Sequence, residues 1–394
     1  MHQLIDLKTY FSIENTNIFN ILELDYADSG GLPDMKKKLI AAVWSIDTKN
    51  IQDIPLAIRM AELTEAVGRA DEAVMRIARK TGASLGDSPL GVFVAPEYMF
   101  AHPTAGADHT TGDLRHINEA EKSALLVQLT ALSTAYPRLL LIPGTIAWRK
   151  TFDRVGAKQT STKTGVAKPV SRQAKAVTAL GAYADAMQLG MDDRLAGRRK
   201  SVGGHEYPAP TTAEKVAKVG AAAANYMARN TAYVLLNGAV VLKYNKRGDY
   251  HEVVQTGLAG QATIHIPGSQ MGRFEVPLVQ SVPQPGVTPR PITFGLEICL
   301  DHAYGTARRD LAAHPGGEVD LHIVSSAMVS IGNERLVCKP GGYLIHACSY
   351  RPWSKLMRKN GGVKGFFKGF STPDARTAPV GRGTLLTWEI ELDL

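Results

Sequence analysis

Phe294-Gly295-Leu296-Glu297-Ile298-Cys299-Leu300-Asp301 is an apolar run that stops on a thiol followed by an acid. Its length suits a buried strand, and side chains at the carboxyl ends of α/β strands gather in a common crevice. Two other stretches share the form. Val92-Phe93-Val94-Ala95-Pro96-Glu97-Tyr98 ends on a carboxylate, and Val240-Val241-Leu242-Lys243-Tyr244-Asn245-Lys246 ends on an amine. Working outward, Leu39–Trp44 reads as a first strand, and Leu63, Val67, Ala70, Val74 and Ile77 recur on one helical face. Strand Val92–Ala95 follows. Asn118 with Glu121 forms a capping box that opens a helix carrying Leu125, Leu129 and Leu132, and Leu139–Ile142 is the next strand. This alternation predicts an α/β sheet covered by helices.

The alternation breaks at about residue 150. Residues 151–176 are rich in Lys, Thr, Ser and Ala without apolar periodicity, and helix-compatible stretches follow near 176–198 and 212–228. Order resumes at Thr231–Leu236, Asn237-Gly238 and Ala239–Tyr244, a hairpin marked by its Asn-Gly pair. Ile292–Ile298, Val319–Val324 and Gly342–Ala347 read as later strands, residues 351–382 as a basic Gly-rich segment, and Thr384–Leu392 as a last edge strand. Residues 1–35 read as an N-terminal extension. Residues 36–394 read as a single domain interrupted by a basic insertion at about 150–228.

Residues 149–200 hold 12 Lys/Arg against 4 Asp/Glu, which accounts for the whole net charge of +8. The segment lacks interleaved aromatic residues for base stacking, so a solvated insertion is expected rather than a nucleic-acid contact. Cys299, Cys338 and Cys348 are the only cysteines and make no disulfide framework or zinc-ligand spacing. A reducing, cytoplasmic setting is expected, with no metal. No signal-peptide pattern opens the chain and no apolar run is long enough for a bilayer, so no membrane partner is expected either.

A cysteine is a strong nucleophile only as thiolate, which requires a neighbouring base or positive charge. Glu97 is a candidate base for the thiol proton and later for water. Lys246 is a candidate oxyanion stabiliser, with the backbone N–H of Leu300 as second donor. Taken singly, a strand-end Cys, a Pro-Glu turn and a hairpin Lys have ordinary structural readings. Their order and shared context set them apart.

These segments resemble the Glu, Lys and Cys signatures of the nitrilase-type carbon–nitrogen hydrolase superfamily. Ala95-Pro96-Glu97-Tyr98 resembles the Glu segment. Asn230-Thr231-Ala232, the Asn-Gly hairpin and Lys243–Lys246 resemble the Lys segment; Gly295–Asp301 resembles the nucleophile motif. Arg309 falls where members often carry an arginine, and Asp320–Ala327 resembles the strand that follows. The resemblance covers roughly 38–150 and 230–350. It implies a four-layer α-β-β-α sandwich, a dimer or larger homo-oligomer, and no metal or organic cofactor. It implies a small-molecule amide-like substrate, with Cys299 attacking its carbon, Glu97 as base and Lys246 stabilising the tetrahedral intermediate. A second glutamate orients the lysine in many members, and Glu252 is the nearest match.

The sequence departs from that pattern in the long Glu-to-Lys interval and in His302-Ala303-Tyr304-Gly305, which lacks the Pro-Glu many members carry. Cys348-Ser349 stands where Asn is common. Leu300-Asp301 is closer to the amidase and carbamoylase branches than to nitrile hydrolases. Nitrile hydrolysis, acyl transfer and a non-catalytic binding protein on the same scaffold remain alternatives. A papain-like protease needs a histidine paired with Cys299, and His251, His302, His322 and His346 lie in no such context. His346-Ala347-Cys348 is a weak metal signal, and Lys355–Phe370 reads as a flexible active-site or interface loop.

Overall fold

Side-chain alternation along the strands decides how the layers stack. The computed structural model describes residues 36–51, 53–81, 88–101, 116–151, 224–248, 262–265, 267–279, 290–312, 317–360 and 370–393. Strand β1 spans Lys36–Ser45, with Leu39, Ala41 and Val43 on one face and Ile40, Ala42 and Trp44 on the other. Both sets are buried, because both faces of its sheet are covered.

Helix α1 (Leu56–Thr81) and helix α2 (Glu119–Ala135) cover the outer face. The predicted stripe Leu63, Val67, Ala70, Val74 and Ile77 is buried. Burying each larger member of such a stripe contributes about 1.5–3 kcal/mol. The capping box is present: Glu121 N–H donates to Asn118 Oδ1 at 2.9 Å and Asn118 N–H donates to Glu121 Oε2 at 2.8 Å.

The remaining strands of this sheet are β2 (Gly91–Val94), β3 (Leu139–Ile142), β4 (Thr145–Thr151), β5 (Ala224–Leu236), β6 (Ala239–Asn245) and β7 (Ala262–His265), with two late strands described below. The second sheet holds β8 (Arg273–Val276), β9 (Ile292–Ile298), β10 (Val319–Ser326), β11 (Cys338–Cys348), β12 (Lys355–Lys359) and β13 (Phe370–Ser371), in the order β13-β12-β11-β10-β9-β8. The first sheet is completed by β14 (Arg376–Val380) and β15 (Gly383–Asp393), giving the order β14-β15-β1-β2-β3-β5-β4, with β6 and β7 also pairing β5.

One apolar cluster lies between the sheets, joining Val92, Val94 and Trp388 to Phe294, Leu296, Ile298 and Ile345. Short helix α3 (Leu300–Ala303) turns Leu300 and Ala303 into this same cluster, while α4 (Thr306–Ala312) packs Ala307 and Leu311 with Val319 and Val337 outside it. The layers are helices, sheet, sheet, helices, which is the expected α/β sandwich.

Three expectations need correction. The helix read near 212–228 runs into β5, which starts at Ala224 and pairs antiparallel with β4 through Thr151↔Tyr226. The two ends of the insertion therefore sit side by side at the base of a strand pair; the rest of it lies outside the described residues. Thr384–Leu392 is not an edge, since β15 is flanked by β1 and β14. The basic segment 351–382 contributes β12, β13 and β14, which were illegible because they are short and β14 is largely exposed.

Candidate active site

The carboxyl ends of β2 and β6 in one sheet face those of β9 and β10 in the other. Glu97 follows β2, Lys246 follows β6 and Cys299 follows β9, and all three are buried. Lys246 Nζ donates to Glu97 Oε1 at 2.7 Å, and Asn230 Nδ2 donates to the same oxygen at 2.9 Å. Ala327 N–H, just past β10, donates to Glu97 Oε2 at 3.0 Å. The Cys299 thiol lies near enough to the same carboxylate, and to the Met328 backbone, for both to bear on its ionisation. The structure thus brings together the acid, the amine and the thiol singled out in the sequence.

Burial holds the Cys299 thiol well above its ordinary range, and the Glu97 charge adds to that. Lys246 pulls in the opposite direction and is outweighed. The resting thiol is therefore neutral and stands beside the Glu97–Lys246 pair. Removing one member of a buried pair such as Lys246–Glu97 leaves an uncompensated charge, at a cost of about 3–5 kcal/mol.

The backbone is strained at two points of the site. Cys299 has φ 44° and ψ −100°, and Tyr98, next to Glu97, has φ 60°. Left-handed φ at non-glycine residues costs on the order of 1–3 kcal/mol and persists only where surrounding bonds hold it. Cys299 N–H donates to Ser325 O at 2.9 Å and its carbonyl accepts from His302 N–H at 3.0 Å. Tyr98 N–H donates to Thr145 Oγ1 at 2.9 Å. Leu300 opens α3 directly after Cys299.

Two buried carboxylates beside Cys299 carry structural duties that the sequence did not announce. Asp301 accepts from Tyr244 Oη at 2.8 Å, from Gly248 N–H at 2.6 Å and from Arg247 N–H at 3.1 Å. It grips the chain on both sides of Lys246. Burial pushes its carboxyl up to about 7, against those donors.

Glu297 sits on the helix-facing side of β9. Its Oε2 accepts from His302 Nδ1 at 2.8 Å and His322 Nε2 at 2.9 Å, while Ala307 N–H donates to Oε1 at 2.7 Å. Burial alone would raise its pKa, but the two imidazole donors outweigh that and hold it well below the usual carboxylate range. His302 is thus committed to Glu297, which removes the protease reading that needs it on Cys299. A carboxylate at an alternating position of an apolar strand was the available signal for this cluster.

Among the described residues, Glu297, His302 and His322 are the group whose ligand atoms lie within 4.8 Å of one another. A cation there would displace both hydrogen bonds. It would also require an N–H at His302 Nε2 and His322 Nδ1, which face no hydrogen-bond partner. Metal-bound histidines donate that second N–H to an acceptor, so the cluster fits a hydrogen-bonded clamp better than a metal site. Glu252 lies outside the described residues. Arg309 lies on α4, where its Nη2 donates to Thr306 Oγ1 at 3.2 Å. Cys348 Sγ donates to Ala327 O at 3.4 Å, beside the backbone that holds Glu97.

No helix among the described residues is long and apolar enough to cross a membrane. No family model matches the chain, and no curated protein sequence does. Several solved structures are similar to it. A variant of the amidase from Nesterenkonia sp. AN1, with the acetamide moiety of fluoroacetamide added at its active-site cysteine, is 14% identical with a TM-score of 0.37. That likeness covers 90% of each chain. An N-terminal amidase bound to a Gln-Gly peptide is 10% identical, with a TM-score of 0.34 over 76% of this chain and 50% of the other. The glutamine-dependent NAD+ synthetase from Acinetobacter baumannii is 11% identical, with a TM-score of 0.35 over 91% of this chain and 48% of the other. This chain therefore spans about half the length of the last two proteins.

Proposed function

We propose that the chain is a cysteine hydrolase that cleaves a non-peptide C–N bond in a small amide or carbamoyl compound through a thioester. The observation that carries this reading is a single buried acid, Glu97, bonded to Lys246 Nζ at 2.7 Å and close enough to the Cys299 thiol for its charge to raise that group. A thiol that is neutral at rest needs a base at the moment of attack, and Glu97 is the neighbouring group to take its proton.

As Cys299 Sγ bonds to the carbonyl carbon, the proton passes to Glu97 and negative charge develops on the carbonyl oxygen. Lys246 Nζ and the Leu300 N–H are the donors for that oxyanion. Collapse breaks the C–N bond, and Glu97 returns the proton to the departing ammonia or amine. Water then attacks the thioester with Glu97 as base, releasing a carboxylic acid and restoring the thiol. An amine in place of water would give acyl transfer with the same residues.

Replacing Cys299 with Ala is expected to abolish turnover of a small-amide panel while leaving circular dichroism and the unfolding midpoint near those of the parent. Mass spectrometry of the parent quenched with substrate is expected to find the acyl mass on Cys299. Undiminished turnover in Cys299→Ala would overturn the reading.

A further inference from the structure

The β12–β13 side of one sheet and the β14–β15 side of the other border a cavity of ≈ 470 Å³ that the chemistry above does not use. Its floor and walls include Pro352, Pro373, Leu386 and Trp388, and its basic members are Arg351 and Lys355. No carboxylate lines it. Among the described residues neither Arg351 nor Lys355 forms a salt bridge, whereas Arg247, Arg290 and Lys359 all do. The Trp388 indole N–H is committed to Pro373 O at 3.1 Å and the residue is 5% exposed, so it adds only a small apolar area to the lining. Two cations without a salt bridge among the described residues, beside an apolar lining, match a ligand with an anionic head on an apolar stem.

The register places this cavity at the same end of the sandwich as Cys299. Lys355 pairs with His346 near the carboxyl end of β11. Strand β11 runs parallel to β10, and β10 runs parallel to β9. From β9 to β12 is three strand spacings, about 14 Å. On the other sheet, Leu386 pairs with Val43 near the carboxyl end of β1. Met328, just past the end of β10, is 39% exposed and Tyr350, next to Arg351, is 49% exposed.

We infer that this cavity is a distal subsite for the far end of the substrate, so that the preferred amides carry a carboxylate or phosphate on an apolar stem remote from the scissile C–N bond. The inference rests on the hydrolase reading for the word substrate, and on the cavity alone for the ligand. It is tested on the full chain by calorimetry with phenyl phosphate, inorganic phosphate and phenol, followed by kinetics. Phenyl phosphate is expected to bind the parent and Cys299→Ala alike, more tightly than either fragment. It is expected to bind about tenfold more weakly to the Arg351→Ala/Lys355→Ala double variant. For an aryl-phosphate-tailed amide, kcat/KM is expected to fall about tenfold in the double variant through KM, while propionamide turnover is unchanged.

Absent binding to the parent, or equal binding to parent and double variant, overturns the site. An equal fall for both amides overturns its role as a substrate subsite. Binding that behaves as stated while no amide of any kind is turned over would sink the hydrolase reading and leave the anion site standing.

Discussion

At the residue scale, one carboxylate joins Cys299 to the chain around Lys246. Asp301 lies two positions past Cys299, and its oxygens accept from Tyr244 Oη, Arg247 N–H and Gly248 N–H, the residues bracketing Lys246. An Asn at this position keeps the size but offers one acceptor oxygen and turns an amide N–H towards existing donors. Asp301→Asn is expected to lower kcat about 10–100-fold with KM within about twofold, and to cost on the order of 2 kcal/mol of stability. Because burial pushes the Asp301 carboxyl up to about 7, protonation on the acid side of that value exchanges an acceptor for a donor facing these same groups. Parental kcat is therefore expected to fall as pH drops through about 7. A pH–rate profile combined with steady-state kinetics of the variant checks both statements. Parental-level kcat in Asp301→Asn would rule out the positioning role.

At the element scale, the β5–β6 hairpin determines where Lys246 leaves its strand. Its turn uses Asn237 at φ 48° and Gly238 at φ 76°, the left-handed pair a tight hairpin demands. A Cβ on Gly238 would also stand 2.4 Å from Thr134 Oγ1 of α2, while its N–H already donates to Ser133 Oγ at 3.2 Å. Gly238→Ala is expected to cost about 1–3 kcal/mol. Urea denaturation should show a lowered midpoint with an unchanged slope. This hairpin was legible because the Asn-Gly pair is a local signal, and β9 was legible from its unbroken apolar run.

Glu97, Lys246 and Cys299 were legible as strand ends that share a form. What surrounds them was not. The Ala327 N–H that holds the Glu97 carboxylate is a backbone group, which leaves no trace in residue type. Strands β12 to β14 lack the apolar alternation of the core because they lie at or near sheet edges, where one face or one rim meets water. Asp320 read as part of an apolar strand, yet it is the buried partner of Arg290 at 2.8 Å and of Lys339, contacts that only the folded chain brings together.

At the scale of the whole molecule, these buried charges make stability depend on pH with a definite sign. For Asp320, burial alone would raise the pKa, but hydrogen bonds from Arg290, Lys339 and Thr293 outweigh it and hold the group well below its ordinary range. Glu297 behaves likewise through His302 and His322. Both carboxylates contribute stability that is complete above the unfolded value of about 4 and is lost as pH falls towards their folded values. Burial lowers His346 to about 3 and also lowers His322. Below an unfolded value of about 6.5 the unfolded chain therefore binds protons that the folded rings refuse, which again favours unfolding in acid. Asp301 runs the other way. Its raised value means the folded chain keeps a proton between about 4 and 7 that the unfolded chain has released, so stability from this group rises as pH falls through that window. The opposing contributions overlap between about pH 4 and 6.5, and only losses continue below about pH 4. Urea midpoints are thus expected to change gently down to about pH 5 and steeply below about pH 4. Asp320→Asn removes one of the descending contributions, so its midpoint should be lower at neutral pH and its fall below about pH 4 shallower than the parent's. Parallel pH curves for the two proteins would show that the Arg290–Asp320–Lys339 group carries no proton-linked stability.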